Sequence, residues 1–136
     1  MFLLDTDTII FVLKGHSTAT ENLVRHRNDP MKVSVITLME LYYGAYKSQQ
    51  ITTNLAKIRT LSQSIGVVPM GIESVELFGM IKTQLEKKGT PLDDFDLAIA
   101  SCAMAHNLTL VTSNTKHFQR VDGLKIADWT HAPGKD

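Results

Sequence analysis

The chain opens on Phe2-Leu3-Leu4-Asp5-Thr6-Asp7-Thr8. Consecutive apolar residues mark a strand covered on both faces, because a half-exposed strand would alternate. Asp5 ends the run, and Thr8 to Leu13 then reads as a helix closed by Gly15. A buried strand that passes straight into a helix starts a parallel α/β sheet, and the rest of the chain repeats the alternation. A second helix begins near Thr18, where Thr18 and Glu21 have capping-box spacing, and ends at the turn cluster Asn28-Asp29-Pro30. Lys32 to Val35 is the second strand, and a third helix opens near Thr37 and carries Glu40 and three tyrosines. Ile51, Leu55, Ile58 and Ile65 mark a fourth helix stopped at Gly66, followed by a strand at Val67-Val68-Pro69. Val75, Phe78, Ile81 and Leu85 define a fifth helix, ended by Gly89 and Pro91. Asp93 to His106 is a sixth, with Asn107 as a left-handed cap. Thr109 to Thr112 and Leu124 to Ala127 complete the strands. The expected fold class is a three-layer α/β domain.

At 136 residues, one domain with its own core is expected, with the core at about residues 2–129 and a frayed tail over 130–136. Apolar residues at 43% and charged ones at 21% exclude a disordered or low-complexity chain. Cys102 is the only cysteine, which excludes a disulfide framework and a thiolate zinc cluster and favours a reducing cytoplasm. Met1 to Val12 holds Asp5 and Asp7 and lacks a basic leader, so it does not read as a signal peptide, and no apolar run is long enough for a membrane span. Fourteen basic and 14 acidic residues give zero net charge, which at face value argues against a nucleic-acid binder.

Ligands of parallel sheets bind beyond the carboxyl ends of the strands, and the acids gather there. Asp5 and Asp7 follow strand one, Glu40 lies in the first turn of the helix after strand two, Asp93, Asp94 and Asp96 open helix six, and Asn114 follows strand four. Six carboxylates at one edge repel one another. A hard divalent cation relieves this, and oxygen-only ligands favour Mg²⁺ or Mn²⁺ over zinc. Each acid also has a structural reading. Asp5 can cap a helix, Asp93 or Asp94 can cap helix six, Asp7 can screen its own helix, and Thr37 with Glu40 fits a capping box. Asp96 sits inside the apolar run Phe95-Asp96-Leu97-Ala98-Ile99-Ala100, where an uncompensated carboxylate is costly. Setting those six acids aside leaves eight against 14 basic residues, a surplus of six positive charges. Leu41 to Ile72 holds no acid at all, so neutrality excludes only a uniformly basic nucleic-acid binder.

These segments, with Ser34-Val35-Ile36-Thr37-Leu38-Met39-Glu40-Leu41-Tyr42-Tyr43-Gly44-Ala45 and Leu110-Val111-Thr112-Ser113-Asn114-Thr115-Lys116-His117-Phe118, run in an order and spacing that resemble the PIN-domain ribonucleases. Within them the chain is similar to the VapC-type toxins of toxin–antitoxin pairs. The resemblance runs from residue 2 to about 129. It implies the strand order 3-2-1-4-5 and a metal-dependent endoribonuclease, with Asp5, Glu40 and Asp96 as the catalytic and metal-binding acids. Asn114 occupies a position that is Asp in some relatives and adds no charge, which argues against a second tightly held metal. Asp7 replaces the usual Asn and partly compensates. His117 stands where an acid is common and has no assigned role. Thr6, Thr112 and Ser113 are candidates to orient water or phosphate. The resemblance also implies an RNA substrate with tRNA loops as one option, a cognate antitoxin that covers the acidic cleft, and a homodimer. Tyr42, Tyr43 and Tyr46, with Leu38 and Leu41, crowd one stretch of helix three, either as core or as an association patch.

Two rival readings follow from the residues. Asp5-Thr6-Asp7 mimics the strand-end Asp-x-Asp of haloacid-dehalogenase-type phosphatases, in which Asp5 would be a covalent nucleophile. That family also wants a later acidic loop after a strand, whereas here the later acids open a helix. The other rival is a non-catalytic α/β binding module whose acids only cap helices.

Overall fold

The computed structural model describes residues 1–132. In chain order the elements are β1 (Phe2–Leu4), α1 (Thr6–Leu13), α2 (Ser17–Arg25), β2 (Met31–Ser34), α3 (Val35–Tyr46), α4 (Ile51–Ile65), β3 (Val67–Val68), α5 (Ile72–Lys87), α6 (Asp94–Ala105), β4 (Thr109–Val111), α7 (Thr115–Phe118) and β5 (Ile126–Ala127). The sheet has five strands, all pairings parallel, in the order β3-β2-β1-β4-β5. Both the α/β class and the order implied by the family resemblance are observed.

Alternation along β1 separates the two halves of the core. Leu3 joins Val68, Ile81, Leu85, Leu97, Ile99, Leu110 and Phe118 beneath α5, α6 and α7. Leu4 joins Ile9, Val33, Leu41, Leu55, Ile58, Val111 and Trp129 beneath α1, α3 and α4. Successive strand residues face opposite sides, so a three-residue strand fills two cores and the domain has three layers. Cys102 is fully buried in the first of these clusters and packs as a small apolar residue, as expected.

Several boundaries differ from the sequence reading. Helix α2 is capped by His16, whose Nδ1 accepts from the Ala19 amide at 3.1 Å, so Thr18 and Glu21 form no capping box. Helix α3 begins at Val35 because Ser34 is its cap and accepts from the Thr37 amide at 3.0 Å. Val75 is half exposed on α5 while its neighbour Ser74 is buried. The short α7 went unread because one turn shows no periodicity. Gly66 at φ 75° caps α4, and Asn107 at φ 54° turns α6 into β4, the left-handed conformations their positions require. Part of the expected frayed tail is held in place. Asp128 Oδ1 accepts from the Thr130 amide at 2.9 Å, and the buried Asn22 donates to the Trp129 and His131 carbonyls, both at 2.9 Å. The remainder of that expectation, 133–136, lies outside the described residues.

Candidate active site

The carboxyl edge of the sheet presents the ends of β1, β2 and β4 side by side, since β1 pairs with β2 through Leu3 and Lys32 and with β4 through Leu4 and Val111. Asp5 leaves β1 there and caps α1. Its Oδ1 accepts from the Thr6 amide at 2.8 Å and its Oδ2 from the Thr112 hydroxyl at 2.7 Å. Asp5 is only 3% exposed. Burial, then the neighbouring Asp7 charge, pushes its pKa up to about 7 against the lowering effect of those two hydrogen bonds, and Asp96 adds to the rise. So the cap reading of Asp5 is correct but incomplete, because a cap alone would favour the charged form.

Asp96 lies in the first turn of α6 and is pushed up to about 6, by burial first and then by the charges of Asp93 and Glu40. His117, on α7, opposes this and favours the charged form of Asp96. That gives His117 a place beside the cleft that the sequence alone did not supply. Glu40 stands in the second turn of α3. Its Oε1 accepts from the Thr6 hydroxyl at 2.6 Å, across from α1. The Thr37–Glu40 capping box is therefore absent, and Ser34 does the capping. Asp7 Oδ2 accepts from both the amide and the hydroxyl of Ser113, which ties α1 to the segment after β4. Thr112 is buried and also accepts from the Asn114 amide at 3.1 Å, while Asn114 itself is exposed.

Of the three acids that open α6, Asp93 keeps the capping role read from the sequence, and Asp94 turns away to a basic partner. Asp93 caps α6 by accepting from the Phe95 amide at 3.1 Å. Asp94 pairs with Lys82 at 2.9 Å and leaves the cleft. Five acids therefore set the charge of this edge, and the positive surplus of the remainder falls to five. Sequence reasoning passed over Ser34 and read Thr37 only as the cap of a box with Glu40, whereas both are fully buried hydroxyls behind Glu40 whose signal was a Ser at a strand end with a Thr three residues on.

Among the described residues, no three His, Cys, Asp or Glu side chains converge into a ready-made metal cage. The donor chemistry nevertheless fits a hard cation. Two partly desolvated carboxylates with raised pKa values share one edge, and neither has a basic side chain in a salt bridge among the described residues. A groove of about 310 Å³ runs beside Glu40 between α1, α3 and α4, and its lining includes Ile10, Leu13, Leu41 and Ile58 with Lys14 and Lys57.

The sequence profile of the PIN domain matches residues 2–124. A Shigella flexneri protein named tRNA(fMet)-specific endonuclease VapC is 37% identical over 129 residues, 95% of this chain and 98% of that one. VapBC2 from Rickettsia felis, solved bound to a DNA fragment from its promoter, superposes with a TM-score of 0.88 at 31% identity, covering 94% of this chain and 98% of that one. DNA-bound VapBC from Salmonella typhimurium gives a TM-score of 0.88 at 36% identity, covering 94% and 97%. With the strand order, the edge of acids and these relatives in agreement over nearly the whole chain, the protein belongs to the PIN domain family, in its VapC branch.

Proposed function

We propose that this chain is the endoribonuclease toxin of a toxin–antitoxin pair and depends on Mg²⁺ or Mn²⁺. The observation that carries the metal is the pair of carboxylates Asp5 and Asp96, held partly desolvated at one sheet edge with no basic partner in a salt bridge among the described residues. Keeping either charged at neutral pH is costly, and a cation offsets that cost. Asp5 and Asp96 would hold the ion, with Glu40 acting directly or through water. Mg²⁺ keeps several waters, so a partial protein ligand set suits it. When bound, such an ion polarises a phosphoryl oxygen and acidifies water.

The chain's own residues then supply orientation. Thr6 takes up one oxygen of Glu40, and the other remains to align a water for in-line attack on phosphorus. The bond from phosphorus to the 3′ oxygen breaks, leaving 5′-phosphate and 3′-hydroxyl ends. Thr112 fixes Asp5, and Asp7 with Ser113 fixes the segment that carries Asn114.

Partners follow the relatives. Two of the solved neighbours are VapBC complexes, and we place an antitoxin segment in the apolar groove beside Glu40, with a basic side chain reaching the carboxylates. The tyrosine cluster divides: Leu41 is buried and Tyr42 partly so, whereas Met39, Tyr43 and Tyr46 are 50%, 66% and 60% exposed. We assign that exposed stripe to a homodimer. The RNA is read as single-stranded loops, whose bases are accessible as those of an A-form duplex are not. Among the described residues no helix is long and apolar enough to cross a membrane, and we place the activity in the cytoplasm, where its substrate is.

The test is cleavage of total RNA by the purified protein with Mg²⁺ or Mn²⁺, against chelator and against Asp96→Asn. Cleavage should stop in chelator and be absent in the folded variant. Undiminished cleavage by Asp96→Asn would sink the assignment. A phosphoenzyme at Asp5 would favour the phosphatase reading instead.

A further inference from the structure

We propose that Ser34, Thr37 and Thr6 form a one-way chain of hydroxyl donors that positions Glu40, a role that rests on the nuclease reading above. Thr6 Oγ1 lies 2.6 Å from Glu40 Oε1 and 3.2 Å from Thr37 Oγ1. Thr37 Oγ1 lies 3.3 Å from Ser34 Oγ. Each hydroxyl has a single proton, and this fixes the direction of the chain. The shortest contact is to a carboxylate, which can only accept, so the Thr6 proton goes to Glu40. The Thr37 proton is then the one that fills the contact with Thr6. Ser34 Oγ already accepts from the Thr37 amide at 3.0 Å, and its own proton goes to Thr37.

Two features set this apart from ordinary capping. Ser34 and Thr37 are fully buried, so their hydroxyls are shielded from bulk solvent and face one another, and the chain of contacts favours one arrangement. A helical Thr commonly bonds back to a carbonyl in its own helix, but here the contact crosses from α3 to α1. The result fixes one oxygen of Glu40, on α3, through Thr6, the residue next to Asp5 at the start of α1. Thr6 and Thr37 are positioning residues, since neither needs to touch the reacting phosphate to act.

The experiment measures RNA cleavage and, by calorimetry, Mg²⁺ binding for Thr6→Val, Thr37→Val, the double variant and Thr6→Ser, with thermal melting as the fold control. Thr6→Val should lose about ten- to a hundredfold in kcat, the range for removing an outer-shell partner, while KM for RNA moves little. Its Mg²⁺ affinity should fall about tenfold. Thr6→Ser should recover most of both. Thr37→Val should lose less, and the double variant should be no worse than Thr6→Val, because both break one chain. Should Thr6→Val fail to fold, Thr6→Ala removes the same hydroxyl. A hydroxyl-free variant as active as wild type, or fully additive losses, overturns the chain and leaves the nuclease reading standing. Wild-type protein that binds Mg²⁺ but does not cleave RNA overturns the nuclease reading, and the chain is then judged on Mg²⁺ affinity alone.

Discussion

Replacing Asp5 by Asn should abolish cleavage and yet stabilise the metal-free fold above neutral pH. Asp5 is 3% exposed, and burial with the nearby Asp7 charge raises its pKa from 3.8 to about 7. Between those values the folded state keeps a proton that the unfolded state releases. Stability from this group is therefore greatest below pH 3.8, falls as pH rises, and stays low above pH 7. At about 1.4 kcal/mol per unit, the charged carboxylate costs the fold up to about 4 kcal/mol at pH 8. Asn cannot ionise, and its Oδ1 can still accept from the Thr6 amide. It replaces a charge-assisted cap and reverses the Thr112 hydrogen bond, which together cost about 1–2 kcal/mol. The net gain should be about 2 kcal/mol at pH 8 in chelator, visible as a Tm rise of several degrees in a domain this size. At pH 5 the gain should vanish or reverse. Added Mg²⁺ should raise the wild-type Tm at pH 8 and leave the variant nearly unmoved. An Asp5→Asn protein less stable than wild type at pH 8 in chelator would refute the electrostatic account, as would an equal Mg²⁺ response in the two proteins.

Three further outcomes follow. Asn22→Ala removes both bonds to the Trp129 and His131 carbonyls and should cost about 1–3 kcal/mol in urea unfolding. Gly66→Ala puts a side chain at φ 75° and ψ 159°, a region that is essentially glycine-only, and should cost about 1–3 kcal/mol by the same measure, with cleavage unchanged. Sedimentation at micromolar concentration should give twice the 15.1 kDa chain mass, and Tyr43→Glu, in the exposed stripe, should return the monomer.

The fold was legible because its strands are short, mostly apolar segments set between helices of clear period, and the first of them runs directly into Asp5. Phe2-Leu3-Leu4 is consistent with a strand covered on both faces, and Leu3 and Leu4 do fill opposite cores. Helix α4 and its stop at Gly66 were read to the residue, since its apolar period is clean and its cap is a glycine. The starts of α2 and α3 were misplaced because Thr-x-x-Glu spacing looks the same whether or not the box forms. At α3 the preceding strand-end Ser won the cap, and at α2 a His did. Site composition was legible from the edge rule, which placed Asp5, Glu40 and Asp96 together. Orientation was not: only side-chain contacts could show Asp94 turning to Lys82, Asp7 binding Ser113 and Thr6 holding Glu40.

The chemistry of the cut ends tests the central claim most directly. RNA incubated with the purified protein and Mg²⁺ should carry 5′-phosphate and 3′-hydroxyl termini, since the attacking group in the proposed mechanism is water held at the Asp5–Glu40–Asp96 edge. The same reaction with Asp96→Asn should give no new ends. Termini bearing 5′-hydroxyl and 2′,3′-cyclic phosphate would show that the RNA's own 2′-hydroxyl attacked, and would contradict the account.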